Sequence, residues 1–167
     1  QIVRYAAVKD RGGSIRILVA KDDGGKPAVL SETELAAFTA YMNQVKVAGV
    51  ILSIDSLEAD SIRIRATVQV DPQVISLSGE RLSDGSRPVE EAVDAYLRGI
   101  VYGGTFNKTK CVDAIQNVEG VLDVTLEEVE AKAASASGYT KVENNNYTAV
   151  SGCFVSDGLN TSLSYVL

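Results

Sequence analysis

Two neighbouring carboxylates, Asp22 and Asp23, are the first side chains along the chain that could do chemistry, and they follow the Gly12–Ser14 segment GGS. Paired carboxylates can hold the metal ions that activate phosphates or water. To share metal ions, both must point to the same side of a strand, whereas adjacent residues of a strand point to opposite sides. We therefore interpret the glycines and aspartates as turn residues at the two ends of an edge strand.

A second group of carboxylates lies around residue 127 and comprises Asp123, Glu127, Glu128 and Glu130. Such residues bind Ca²⁺ or Mg²⁺ when a tight loop brings them together. Here they alternate with apolar residues, as in a strand that has one buried and one wet face. The pattern predicts a solvated face, or a sheet edge protected by charge, in place of a metal site.

The third candidate is Cys111, which stands beside Lys108 and Lys110 at the start of a predicted helix, where the pKa of a thiol can fall. It lies on the apolar face of that helix, so we interpret it as a core cysteine. With Cys153 as the only other cysteine, the sequence predicts two unpaired thiols. Because the chain also lacks His, we expect no metal, no cofactor and no enzyme activity.

The composition is that of an acidic globular protein. The chain has 167 residues, of which 46% are hydrophobic and 23% charged, and its formal net charge is −6. Nucleic-acid-binding proteins usually carry a basic excess, so we expect no nucleic acid partner. No apolar run approaches the roughly 20 residues that span a bilayer, and we expect no membrane insertion. Because the first residue is Gln1, we expect a processed or excised piece of a longer polypeptide.

The elements that would position these residues begin with a strand and a capped helix. Ser14–Ala20 is apolar and β-branched, which predicts a strand. Ser31 and Glu34 have the spacing of a capping box, in which each side chain accepts a hydrogen bond from the other residue's amide. The helical face that follows comprises Leu35, Phe38, Tyr41 or Met42, and Val45. A second strand is predicted over Val50–Leu57.

The middle of the chain predicts one long strand and two helices. Strict alternation in Ser61–Asp71 predicts a strand with one buried face, and Gln73–Arg87 predicts a polar loop. Amphipathic helices are predicted over Val89–Ile100 and from the capping residue Asn107 to Val118, before a strand at Leu122–Glu127. We predict that the strand packs under the helices through Ile62, Ile64, Val68 and Val70 against Val93, Tyr96, Leu97, Ile115 and Val118.

The end of the chain predicts a loop over Ala131–Asn146 and then a terminal hairpin of Tyr147–Val155 and Asn160–Leu167. The hairpin carries more apolar area than it can bury by itself. Such an edge either joins the domain's own sheet or recruits a neighbour's strand. We therefore take the following residues as the candidate interface: Tyr147, Val150, Phe154, Val155, Leu163, Tyr165 and Leu167.

The order of these elements predicts an α+β fold. It would form two small mixed layers, β-α-β and then β-α-α-β with the C-terminal β-hairpin, in largely antiparallel sheets with helices on one face. The weakest connection lies near Leu57–Asp60. We accordingly predict a β-α-β subdomain over residues 1–58 and a second subdomain over residues 59–167.

Seven landmarks between residues 13 and 131 stand in an order that is found in a known family. They are Ser14–Lys26, Leu30–Val47, Ile62–Pro72, Val89–Ile100, Tyr102–Gly104, Phe106–Val118 and Glu119–Val124. In this order they resemble the C-terminal half of the phage baseplate J-like proteins, which are wedge components of contractile tails and related injection systems. The resemblance implies a structural subunit of the ring around the tail hub, without catalytic residues.

The resemblance also implies partners and a location. The partners would be other baseplate or tail proteins or further copies of the same chain. The location would be the virion tail baseplate, assembled in the bacterial cytoplasm. One alternative is a surface or carbohydrate-binding module of a larger protein, which would use Tyr139, Asn144, Asn145, Asn146 and Tyr147. A more distant alternative is an enzyme similar to nucleotidyltransferases, which would use Asp22 and Asp23.

Overall fold

Eleven strands and four helices follow one another in the computed structural model, which describes residues 1–167. The first layer contains β1 (Tyr5–Asp10), β2 (Ser14–Asp23), β3 (Lys26–Ala28), α1 (Glu32–Val45) and β4 (Ile51–Asp55). The second layer contains β5 (Asp60–Val70), α2 (Pro88–Gly99), β6 (Thr105–Asn107), α3 (Lys108–Gln116), β7 (Val121–Lys132), β8 (Thr140–Lys141), β9 (Asn146–Thr148), β10 (Phe154–Ser156), α4 (Leu159–Ser162) and β11 (Leu163–Val166). The chain has the predicted α+β fold.

The first sheet is built around β2, which pairs antiparallel with β1 and β3 and parallel with β4. Its core is small, because only Ile17, Val19 and Leu30 are buried in the cluster under α1. The strand β1 was not predicted from the sequence. It forms because Gly12 and Gly13 both take positive φ angles and so close a tight hairpin that pairs β1 with β2 along its whole length.

Helix α1 begins as predicted. The amide of Glu34 donates to Ser31 Oγ at 3.2 Å, and the amide of Ser31 donates to Glu34 Oε2 at 2.7 Å. These two hydrogen bonds satisfy amides that the first turn of a helix leaves without partners. The capping box is therefore confirmed, and it fixes where the helix starts above the first sheet.

The second sheet has β5 at its centre, paired antiparallel with β7. The even-numbered residues of β5 from Ile62 to Val70 are fully buried, as the alternation predicted. They belong to a core of 19 buried residues that includes Val93, Leu97 and Ile115, with Tyr96 and Val118 packed against it. The predicted packing of the strand under α2 and α3 is confirmed, with both helices on one face of the sheet.

The predicted C-terminal hairpin is wrong. The strands β10 and β11 do not pair with each other, and each pairs in parallel with β5, with the short helix α4 between them. The strand β9, which begins this part of the chain, pairs instead with β6. The physical reason is that β7 occupies only one edge of β5, and pairing at the other edge satisfies the backbone and buries Phe154 and Leu163.

The two layers meet through a few close contacts. The rings of Tyr5 and Tyr102 lie 5.8 Å apart between centroids. A Cβ placed on Gly103 would lie 2.3 Å from Ala7 Cβ, so only glycine permits this approach of the second layer to β1.

Whether residues 1–58 and 59–167 form independent subdomains stays a prediction. No helix has the length and apolar character that crossing a membrane requires.

Candidate functional site

The seven residues of the candidate interface do not form one surface. Phe154 and Leu163 are buried in the core, where Phe154 packs edge-on against the ring of Tyr147. Tyr165 is half-buried on β11. The other three, Val150, Val155 and Leu167, are exposed. The segment has thus joined the domain's own sheet, and in this fold Phe154 and Leu163 cannot contact a partner.

A buried carboxylate holds this segment in place. Asp60 is fully buried at the start of β5, and its Oδ2 accepts hydrogen bonds from Tyr147 Oη at 2.7 Å and from the amide of Val150 at 3.0 Å. Its Oδ1 accepts from the amide of Ser151 at 3.0 Å. The position of Asp60 just before the alternating strand gave no sign of this role, because its partners lie about ninety residues away.

A different set of apolar residues is exposed on the first layer. Helix α1 has no buried residue. Tyr41 and Val45, one turn apart, are 58% and 54% exposed, and Val47, just after the helix, is 75% exposed. We call these three residues the α1 apolar surface. Of the two alternatives on this helix, Met42 packs on the first core and Tyr41 does not. The prediction that Val45 lies on the same buried face is wrong, because Val45 is exposed.

These side chains are exposed because α1 turns only one stripe of residues toward the first sheet. Leu35, Phe38 and Met42 form this stripe and pack on the cluster beneath the helix, which includes Leu52 and Ile54 of β4. The apolar side chains that flank this stripe on the 14-residue helix stay in solvent. Exposed apolar patches of this kind typify contact surfaces.

The residues that could have formed a metal site are not brought together. Asp22 Oδ1 accepts a hydrogen bond from Tyr5 Oη at 2.8 Å, and this bond raises the pKa of the Tyr5 phenol. Asp23 is exposed at the end of β2. Nowhere in residues 1–167 do three or more His, Cys, Asp or Glu side chains come within reach of one metal ion.

The carboxylates of β7 are partners of basic residues on the neighbouring strands. Glu128 pairs with Arg65 and lies 3.9 Å from Lys141 Nζ, and Glu130 lies 3.8 Å from Arg63. Asp123 is exposed on the same strand. These ion pairs lie on the outer face of the second sheet, so the predicted solvated face is confirmed. Such exposed pairs contribute little to stability individually.

Both cysteines are free, as predicted. Cys111 is fully buried in the second core, and burial raises the pKa of its thiol to about 12. Burial also raises the pKa of the half-buried Cys153 thiol. The burial confirms the interpretation of Cys111 as a core residue. The raised pKa also disfavours the thiolate, which is the nucleophilic form of a cysteine.

The aromatic and amide residues of the carbohydrate-binding alternative mostly bind one another or the rest of the chain. The Arg63 guanidinium lies 4.0 Å from the centroid of the Tyr139 ring, whose hydroxyl donates to Asp157. Asn146 accepts a hydrogen bond at 2.7 Å from Asn107, the capping residue of α3. These contacts stabilise the loops and leave few of the side chains free for a sugar.

Neither the comparison with protein-family models nor the comparison with curated proteins gives a match for this chain.

Proposed function

We propose that this chain is a structural subunit of a phage or prophage-like tail baseplate, which builds the wedge or ring by protein–protein contacts and without catalysis. Its partners are other baseplate or tail proteins. It acts in the virion tail after assembly in the bacterial cytoplasm.

The order of the elements supports this proposal. The landmarks that resemble the baseplate J-like family coincide with β2, α1, β5, α2, α3 and β7, in that order. The Tyr102–Gly104 landmark lies between α2 and β6, in the turn that contacts the first sheet. Thus each landmark has a structural role in this fold, although none of these roles is particular to a baseplate.

The observation that carries the proposal is the α1 apolar surface. The first layer has three buried residues in its cluster, while Tyr41, Val45 and Val47 are more than half exposed. Tyr41 and Val45 lie one turn apart on the same helix, and neighbouring exposed apolar side chains of this kind are typical of surfaces that are buried against a neighbour in an assembly.

The test is co-expression with the tail genes that neighbour its own gene, followed by affinity purification of the tagged chain. We expect a stable complex that contains baseplate or tail subunits. The double variant Tyr41→Glu/Val45→Glu should lose the complex, because it places two charges in an apolar contact.

The matched control is Leu77→Glu/Leu82→Glu, which places the same charges on two exposed leucines of the loop between β5 and α2. This control should keep the complex, and both variants should fold like the unchanged chain by circular dichroism. A chain that recovers no tail subunit, and that instead binds a glycan array as a monomer, would contradict the proposal and favour a carbohydrate-binding module.

A further inference from the structure

A cavity of about 400 Å³ lies at the junction of the two layers. The first layer contributes β3 and the start of β1, and the second contributes the end of α2 and β10. Small-molecule sites have volumes of roughly 300–1,000 Å³ and often lie where two structural units meet. The size and position of this cavity are therefore those of a ligand site.

The walls of the cavity are largely apolar and aromatic. Leu97 and Ile100 come from the end of α2, Phe154 comes from β10, and Tyr5 and Tyr102 contribute the pair of rings that joins the layers. The Tyr102 hydroxyl donates to the carbonyl of Ser151, which fixes that ring. Such walls accept a flat or branched apolar group.

The charged groups of the cavity differ in whether they already have partners. The carboxylate of Asp94 accepts a hydrogen bond from Ser156, and nearby Asp22 accepts one from Tyr5. Lys26 and Arg98 also line the cavity, and neither forms an ion pair or a side-chain hydrogen bond within residues 1–167. Asp94 keeps its charge, since its partner is a neutral hydroxyl, so the lining has two cations and one carboxylate. The free donors are the two cationic side chains, and the group that complements this excess of positive charge is an anionic acceptor.

We propose that this cavity binds a small organic carboxylate, with its apolar or aromatic body between Tyr5, Tyr102 and Leu97 and its carboxylate at Lys26 and Arg98. This site is distinct from the α1 apolar surface and does not depend on the proposed baseplate function. A ligand here touches both layers, so its binding stabilises their junction by mass action.

The reactivity of Cys153 supplies a direct test, because this thiol lines the cavity while Cys111 is fully buried. The protein is treated with N-ethylmaleimide in the presence of 3-phenylpropionate or of its neutral analogue 3-phenylpropanamide, and the labelling rate of each cysteine is measured by mass spectrometry. We expect millimolar 3-phenylpropionate to slow the labelling of Cys153, while Cys111 stays unlabelled in every sample. The amide should protect about tenfold more weakly, since it lacks the charge.

Charge variants identify the site. Arg98→Gln and Lys26→Gln should each weaken protection by 3-phenylpropionate several-fold, since each removes one cationic donor. Arg11→Gln is the matched control, because Arg11 is an exposed cation in the β1–β2 turn and lies outside the cavity. Both cavity cations are exposed, so these variants should fold normally. Absence of protection at millimolar 3-phenylpropionate, equal protection by the amide, or protection that Arg98→Gln and Lys26→Gln leave unchanged would each overturn the proposal.

Discussion

Replacing Asp60 by alanine should destabilise the protein more than any other single loss of a carboxylate, because Asp60 is the only fully buried acidic residue. The substitution removes the acceptor for Tyr147 Oη and for the amides of Val150 and Ser151. It thereby releases the segment that leads into β10. The strands β10 and β11 keep their backbone pairing with β5, so the loss falls on the segment from Tyr147 to Ser151.

The magnitude follows from the three hydrogen bonds. A buried donor that loses its partner costs about 1–3 kcal/mol, and a hydrogen bond to a charged group lies at the upper end of that range. Tyr147 and Val150 are partly exposed and can recover water, whereas Ser151 is buried. We therefore expect Asp60→Ala to lower the free energy of unfolding by about 3–4 kcal/mol, which for a chain of this size corresponds to roughly 10 °C in melting temperature.

Asp60→Asn should have a smaller effect, of about 2 kcal/mol. An amide oxygen in the Oδ2 position still accepts from Tyr147 and Val150, but the amide nitrogen then faces the Ser151 N–H, which is another donor. The order of stability should thus be Asp, then Asn, then Ala.

The assay is urea unfolding followed by circular dichroism, with the midpoint and slope fitted for each variant. The control is Asp113→Ala, which removes an exposed carboxylate from α3 and should change the free energy of unfolding by less than about 0.5 kcal/mol. A cost below about 1 kcal/mol for Asp60→Ala would refute the reasoning, since the three donors would then not depend on this carboxylate.

Three further predictions concern the junction, the helix cap and the subdomains. Gly103→Ala should lower the free energy of unfolding in urea by about 2–4 kcal/mol, because the added Cβ would lie 2.3 Å from Ala7 Cβ. Adding Ala7→Gly to this variant should recover part of that loss. The hydrogen bond from the Ser31 amide lowers the pKa of the Glu34 carboxyl. The stabilisation that ionised Glu34 gives the protein is therefore complete above its ordinary pKa of 4.5 and is lost as the pH falls through the lower pKa of the folded state. Melting curves of Glu34→Gln should lack this component of the pH dependence. Residues 59–167 should unfold cooperatively when expressed alone, whereas residues 1–58 should give no cooperative transition by circular dichroism, because only three residues are buried in their own cluster.

The elements with strong local signals could be predicted from the sequence. The alternation of Ile62 to Val70 identified the buried face of β5, because a strand that lies under helices needs one apolar side. The capping box at Ser31 identified the start of α1 for a similarly local reason. In both cases the information lies within a dozen consecutive residues.

Features that depend on distant pairing could not be predicted in this way. The strands β10 and β11 have the alternation of a hairpin, yet they pair with β5, whose sequence gives no sign that one of its edges is open. The cavity likewise joins residues from β1, β3, α2 and β10, and no local pattern connects them. The exposure of Val45 depends on how α1 is oriented on the first sheet, which follows from tertiary packing and not from the sequence of the helix itself.

The most direct test of the baseplate proposal is quantitative mass spectrometry of tail particles purified from cells that express the full set of neighbouring tail genes. If the chain is a baseplate subunit, it should occur in a fixed whole-number ratio to the other baseplate proteins, and particles made with Tyr41→Glu/Val45→Glu should lack it. Intact tails that contain no copy of the chain, and that assemble equally well when its gene is deleted, would contradict the proposal.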